Sequence, residues 1–97
     1  MWENGVMKDY LIERHIPGAD KLTPDQLRDA AAKSNAVLAE LGPGIKWVDS
    51  VIVKDGTVCH YQAENEEIIR EHARISGFPA DKITEITGGI SPATANA

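Results

Sequence analysis

The sequence predicts an α+β fold with its elements in the order βαββαβ. Three observations carry that prediction: a capped amphipathic helix signal over residues 24–41, an Asp55-Gly56 hairpin signal between two β-rich runs, and a second capped helix that follows the hairpin almost directly. Short right-handed crossovers in this order place four strands in one antiparallel sheet with both helices on one face. That is the ferredoxin-like arrangement.

Each element has a local cause. Residues 10–16 (Tyr-Leu-Ile-Glu-Arg-His-Ile) read as the first strand, stopped by Pro17-Gly18. The first helix opens on Thr23-Pro24-Asp25-Gln26, with Thr as N-cap, Pro at the first helical position and Gln three residues past the cap. Leu27, Ala30, Ala31, Ser34, Val37, Leu38 and Leu41 then recur at helical spacing and form one stripe, and Gly42-Pro43-Gly44 ends it. Residues 45–53 are rich in β-branched side chains and read as the second strand; residues 57–63 read as the third. Asp55-Gly56 is taken as the two-residue loop between them, because both positions of such a turn favour positive φ. Asn65 caps the second helix, Glu66 and Glu67 sit at its positive end, and Gly77 followed by Pro79 closes it. Residues 82–87 read as the fourth strand, with Ile90 as its outer limit. Residues 1–6 are expected to be a flexible leader, 7–90 the single domain and 91–97 a flexible tail.

Composition bounds the function. A chain of 97 residues, 42% hydrophobic and 26% charged, forms one soluble core. Ten basic against fifteen acidic residues leave a net charge of −5 without a basic run, which argues against a nucleic-acid partner. No apolar run approaches the roughly 20 residues of a membrane-spanning helix. The first residues lack the basic and apolar regions of a secretion signal. One cysteine cannot form an intramolecular disulfide, so the expected compartment is the reducing cytoplasm.

Symmetry about Asp55-Gly56 pairs Ile52 with Cys59, Val51 with His60 and Ser50 with Tyr61. Paired residues share a face and successive residues alternate. One face then carries Val48, Ser50, Ile52, Cys59, Tyr61 and Ala63, and is assigned to the helix-covered side. The other carries Trp47, Asp49, Val51, Val53, Val58, His60 and Gln62. This second face is too apolar to stay in water, and the simplest cover is a second copy of the chain, a homodimer through the open sheet face.

Chemistry concentrates in a short stretch: Cys59, His60 and His72 lie within fourteen residues, which points to a small-ligand or metal pocket. His72 falls in the apolar stripe of the second helix, with Ile68, Ile69, Ala73 and Ile75, and should point toward Cys59, Tyr61 and Ser50. It reads either as a core histidine satisfied by Tyr61 or Ser50, or as a ligand or catalytic group. Cys59 reads as a small buried hydrophobe or as a metal ligand. His60 lies on the opposite face from Cys59 and is placed to meet its symmetry mate or Asp49 at the dimer interface. Glu13 and His15 share one face of the first strand and are further candidates. Trp47 reads as packing in the dimer or at a pocket rim.

Several stretches together carry a resemblance: Tyr10-Leu-Ile-Glu-Arg-His-Ile-Pro-Gly18, Leu22-Thr-Pro-Asp-Gln-Leu27, Ser34-Asn-Ala-Val-Leu38, Leu41-Gly-Pro-Gly-Ile-Lys-Trp-Val48, Cys59-His-Tyr-Gln-Ala63, Ile69-Arg-Glu-His-Ala73 and Gly77-Phe-Pro-Ala80. In this order they resemble a family of small bacterial proteins catalogued as a domain of unknown function, with a member described as nickel-binding. The resemblance implies a ferredoxin-like, dimeric fold and raises the expectation of metal binding.

The leading expectation is a non-enzymatic nickel-binding protein, with His72, Cys59 and Glu13 as ligands and His60 and His15 as interface candidates. The alternative is a protein that binds or transforms a small molecule, with His72 as general base and Ser50 and Tyr61 orienting the substrate.

Overall fold

Thr23 opens the first helix as its local sequence requires. Its hydroxyl accepts from the Gln26 amide at 3.2 Å, and the Gln26 side chain accepts from the Thr23 amide at 2.9 Å. The second helix starts on Asn65, whose side chain accepts from the Ile68 amide at 3.0 Å, and ends on Gly77 at φ 83°. In the computed structural model, which describes residues 6–97, these helices are α1 (Pro24–Leu41) and α2 (Glu66–Ser76). The strands are β1 (Lys8–His15), β2 (Ile45–Val53), β3 (Gly56–Ala63) and β4 (Lys82–Ile86). They form one antiparallel sheet in the order β2-β3-β1-β4, the expected ferredoxin-like topology. Most of the expected leader lies outside the described residues. A short 3-10 turn at Ala19–Lys21, which the sequence reading did not anticipate, follows β1, and a second such turn spans Pro92–Asn96.

The hairpin differs from its expected register. Val53 pairs with Gly56 and Ser50 with Cys59, so the loop residues are Lys54 and Asp55 rather than Asp55 and Gly56. Asp55 takes the left-handed conformation at φ 58°. Gly56 serves β1 instead: a Cβ there would collide with the Arg14 carbonyl oxygen. Moving both arms by one residue preserves the assignment of faces, so Ser50, Ile52, Cys59 and Tyr61 still share the helix-covered side.

A β-bulge between Trp47 and Asp49 does change the faces. Trp47 pairs with Tyr61 and Asp49 with His60, leaving Val48 unpaired and 43% exposed. The extra residue turns Trp47 toward the helices, off the open face to which strict alternation assigned it.

The core is built from Tyr10, Ile12, Ile45, Cys59, Tyr61, Ala63 and Ile69. Helix α2 packs closely, with Ile69, His72 and Ser76 buried. Ile75 is 38% exposed, because the buried line of α2 runs through 69, 72 and 76. Along α1 only Ser34 and Val37 are buried. Leu27, Ala30 and Ala31 are half-buried, and beneath them the core is not filled.

Candidate functional site

The space beneath the first half of α1 is a chamber of about 440 Å³. Strands β2 and β3 form one wall through Trp47, Ser50, Ile52, Thr57, Cys59 and Tyr61. Leu27, Ala30, Ala31 and Ser34 of α1 form another. Ala19 and Leu22, from the turn after β1, and Phe78 and Pro79, after α2, complete it. Two alanines on the inner face of α1 keep that helix from filling the space. The lining is mostly apolar, with a few polar groups, as ligand pockets of this size commonly are.

Arg14 is the principal polar group. Strand β1 alternates Tyr10, Ile12 and Arg14 toward the helices, so the guanidinium is carried into the buried layer and is only 6% exposed. It donates to the Pro79 carbonyl at 2.7 Å, to the Phe78 carbonyl at 3.4 Å and to the Tyr61 hydroxyl at 3.5 Å. Its carbon also stands 5.8 Å from the centre of the Tyr61 ring. Burial pushes the Tyr61 phenol above its ordinary pKa, and Ser34 and the Arg14 charge only partly offset this. Tyr61 therefore remains a neutral hydroxyl.

His72 is fully buried behind this wall. Its Nε2 lies 3.2 Å from the Ser34 hydroxyl, its ring centre 5.7 Å from that of Tyr61, and its Nδ1 has no partner. Desolvation, then the nearby Arg14 charge, holds the imidazole below its ordinary pKa, with Ser34 acting in the opposite direction. The expected partners Ser50 and Tyr61 are thus replaced by Ser34. Ser50 instead accepts from the Trp47 indole at 2.9 Å. His72 does not line the chamber, so it touches an occupant only through Ser34 or Tyr61.

The sequence-derived candidates separate into two groups. Ser50, Cys59 and Tyr61 line the chamber, with His72 behind it; the Cys59 thiol lies 3.6 Å from the Thr57 hydroxyl. Glu13, His15 and His60 alternate onto the opposite face of the sheet. There the His60 Nε2 pairs with Asp9 at 2.8 Å, and Glu13 and His15 border a shallow hollow with Asp81 and Lys82. His72, Cys59 and Glu13 cannot share one ion within a subunit, because the sheet lies between them. Among the described residues, no three His, Cys, Asp or Glu side chains converge as a metal site. The described residues of one chain therefore do not by themselves make a nickel site. Arg14 and Ser34 escaped the sequence reading. The signal for Arg14 was a cation in the apolar phase of β1, and that for Ser34 a hydroxyl in the apolar stripe of α1.

The family model for nickel responsive proteins of the SCO4226-like type matches residues 10–86. The chain belongs to this SCO4226-like family. A crystal structure of SCO4226 from Streptomyces coelicolor A3(2) superposes with a TM-score of 0.69 at 19% identity, over 84% of this chain and 99% of that one. At that identity the likeness extends to the fold alone. No curated protein matches the sequence. Among the described residues of this SCO4226-like chain, no helix is long and apolar enough to cross a membrane.

Proposed function

We propose that this protein is a small-molecule-binding module whose ligand occupies the chamber between α1 and the sheet. The observation that supports this most is the chamber itself, a space of about 440 Å³ beside an otherwise well-packed core. It is a half-open space walled largely by apolar side chains, and a ligand seated there would remove that surface from water. Binding is favoured over turnover because His72, the base expected to act, has no surface in the chamber. Calorimetry with small aryl and alkyl probes tests the reading. One saturable site in the wild type, abolished by Ala31→Trp, supports it. Equal binding in both proteins would move the site elsewhere.

A second reading is a non-enzymatic cytoplasmic nickel-binding protein, of which the family's description as nickel responsive supports the nickel alone. Its donors would have to come from two copies of the chain, joined through the open sheet face. Val51 and Val53 are exposed there at 58% and 43%, beside the His60–Asp9 pair. A carboxylate holding one imidazole nitrogen leaves the other directed at a metal, the usual support for a histidine ligand. Nickel titration of tag-free, chelator-treated protein is expected to give one ion per two chains, lost in His60→Ala. Nickel binding that survives His60→Ala would remove the open face from the site.

A further inference from the structure

We propose that the chamber is selective for a small organic carboxylate with an apolar body, its carboxylate received by Arg14 and the Tyr61 hydroxyl. The inference rests on the chamber being a ligand site and names what that site takes. Arg14 is a buried cation, and among the described residues it makes no ion pair with a carboxylate. Isolated buried charges are costly, and natural proteins pair them. Here the protein supplies two backbone carbonyls and a phenol, all neutral acceptors. Three contacts on a group with five N–H donors leave donors over for a ligand.

The missing partner is an anion, and the fork of a guanidinium matches a carboxylate in particular. Tyr61 stays protonated and can donate a further hydrogen bond. The rest of the wall specifies the body: Leu22, Leu27, Ala30, Ile52 and the Trp47 ring offer apolar contact. Inorganic anions would leave that surface unused, and a larger polyanion would meet only one cation. A short fatty acid or an aryl-substituted propionate meets both demands.

The test pairs acids with alcohols of the same shape: octanoate against octanol, and 3-phenylpropionate against 3-phenylpropanol, each titrated by calorimetry into the wild type and Arg14→Gln. The wild type should bind each acid on the order of 10- to 100-fold more tightly than its alcohol. Arg14→Gln should abolish that preference while alcohol affinity changes little. Arg14→Lys, which keeps the charge and loses the fork, should fall between them. Alcohol binding in Arg14→Gln shows that the variant still forms the chamber. Equal affinity for acid and alcohol in the wild type would overturn the carboxylate assignment and leave the chamber as a ligand site, with Arg14 only tethering Phe78 and Pro79. Failure of all four probes to bind the wild type would overturn both.

Discussion

Helix α2 lays Ile69 and His72 against the sheet with no exposed surface, whereas the first half of α1 holds Leu27, Ala30 and Ala31 only half-covered above a cavity. Both helices cover the same face of the same sheet, and both are properly capped. The difference lies in side-chain volume and in one strand residue. Under α2, Ile12, Ala63 and Tyr10 meet Ile69 in a closed apolar layer. Under α1, small residues face Arg14, whose head cannot pack as an aliphatic group would. One half of the molecule thus supplies stability, and the other keeps a space open.

Substitutions in the two halves should therefore have unequal consequences. Ile69→Ala should cost about 2–5 kcal/mol in urea denaturation, the range for an aliphatic side chain removed from a closed core. Ala31→Leu adds volume over the chamber and should change stability by about 1 kcal/mol or less, in either direction. A large loss from Ala31→Leu would mean that the two halves are equally filled. Gly56→Ala comes next, since its Cβ would collide with the Arg14 carbonyl oxygen. A loss of about 1–3 kcal/mol is expected, together with weaker probe binding as β1 shifts Arg14.

The half of the molecule under α2 should also respond to pH. His72 is held below the ordinary value of 6.5, so the unfolded chain binds the proton more readily than the folded one. Its contribution is fully present above about pH 6.5 and is lost as the pH falls from there toward the lowered folded value. Arg14, Ser34 and Tyr61 are the groups facing it. His72→Gln should flatten the stability profile in that window, and an unchanged slope would show that another group titrates. The smallest effects belong to the caps. Thr23→Ala and Asn65→Ala should each cost about 1 kcal/mol. Only Thr23→Ala, which loosens the chamber's own helix, should also weaken probe binding.

What the sequence made legible follows from the range of each interaction. The helix limits were readable because Thr23, Gln26, Asn65 and Gly77 act within their own helix ends, and the topology followed from element order. The hairpin turn was misplaced because Gly56 answers to β1, forty-two residues earlier at Arg14, and nothing local distinguishes that use of glycine from a turn. Trp47 changed face through a bulge that leaves no mark in a run of β-branched residues. The imidazole of His72 was correctly expected to be buried, yet its partner proved to be Ser34, thirty-eight residues away. The chamber was legible only in part: Ser50, Cys59 and Tyr61 were expected in a small pocket and do line it, but its extent beneath α1 was not, for a related reason. A cavity is a missing volume between two elements, and no spacing rule along one chain records it. Arg14, a cation in a buried strand phase, and Ser34, a hydroxyl in the apolar stripe of α1, were its further marks.

The most direct test of a ligand chamber beneath α1 is a titration of 3-phenylpropionate followed by two-dimensional NMR of the uniformly labelled protein. Saturable shifts are expected at Arg14, Ala31, Phe78 and the Trp47 indole, with Val51 and His60 on the open face unmoved. Shifts confined to Val51 and His60, or none up to the solubility limit of the acid, would contradict it.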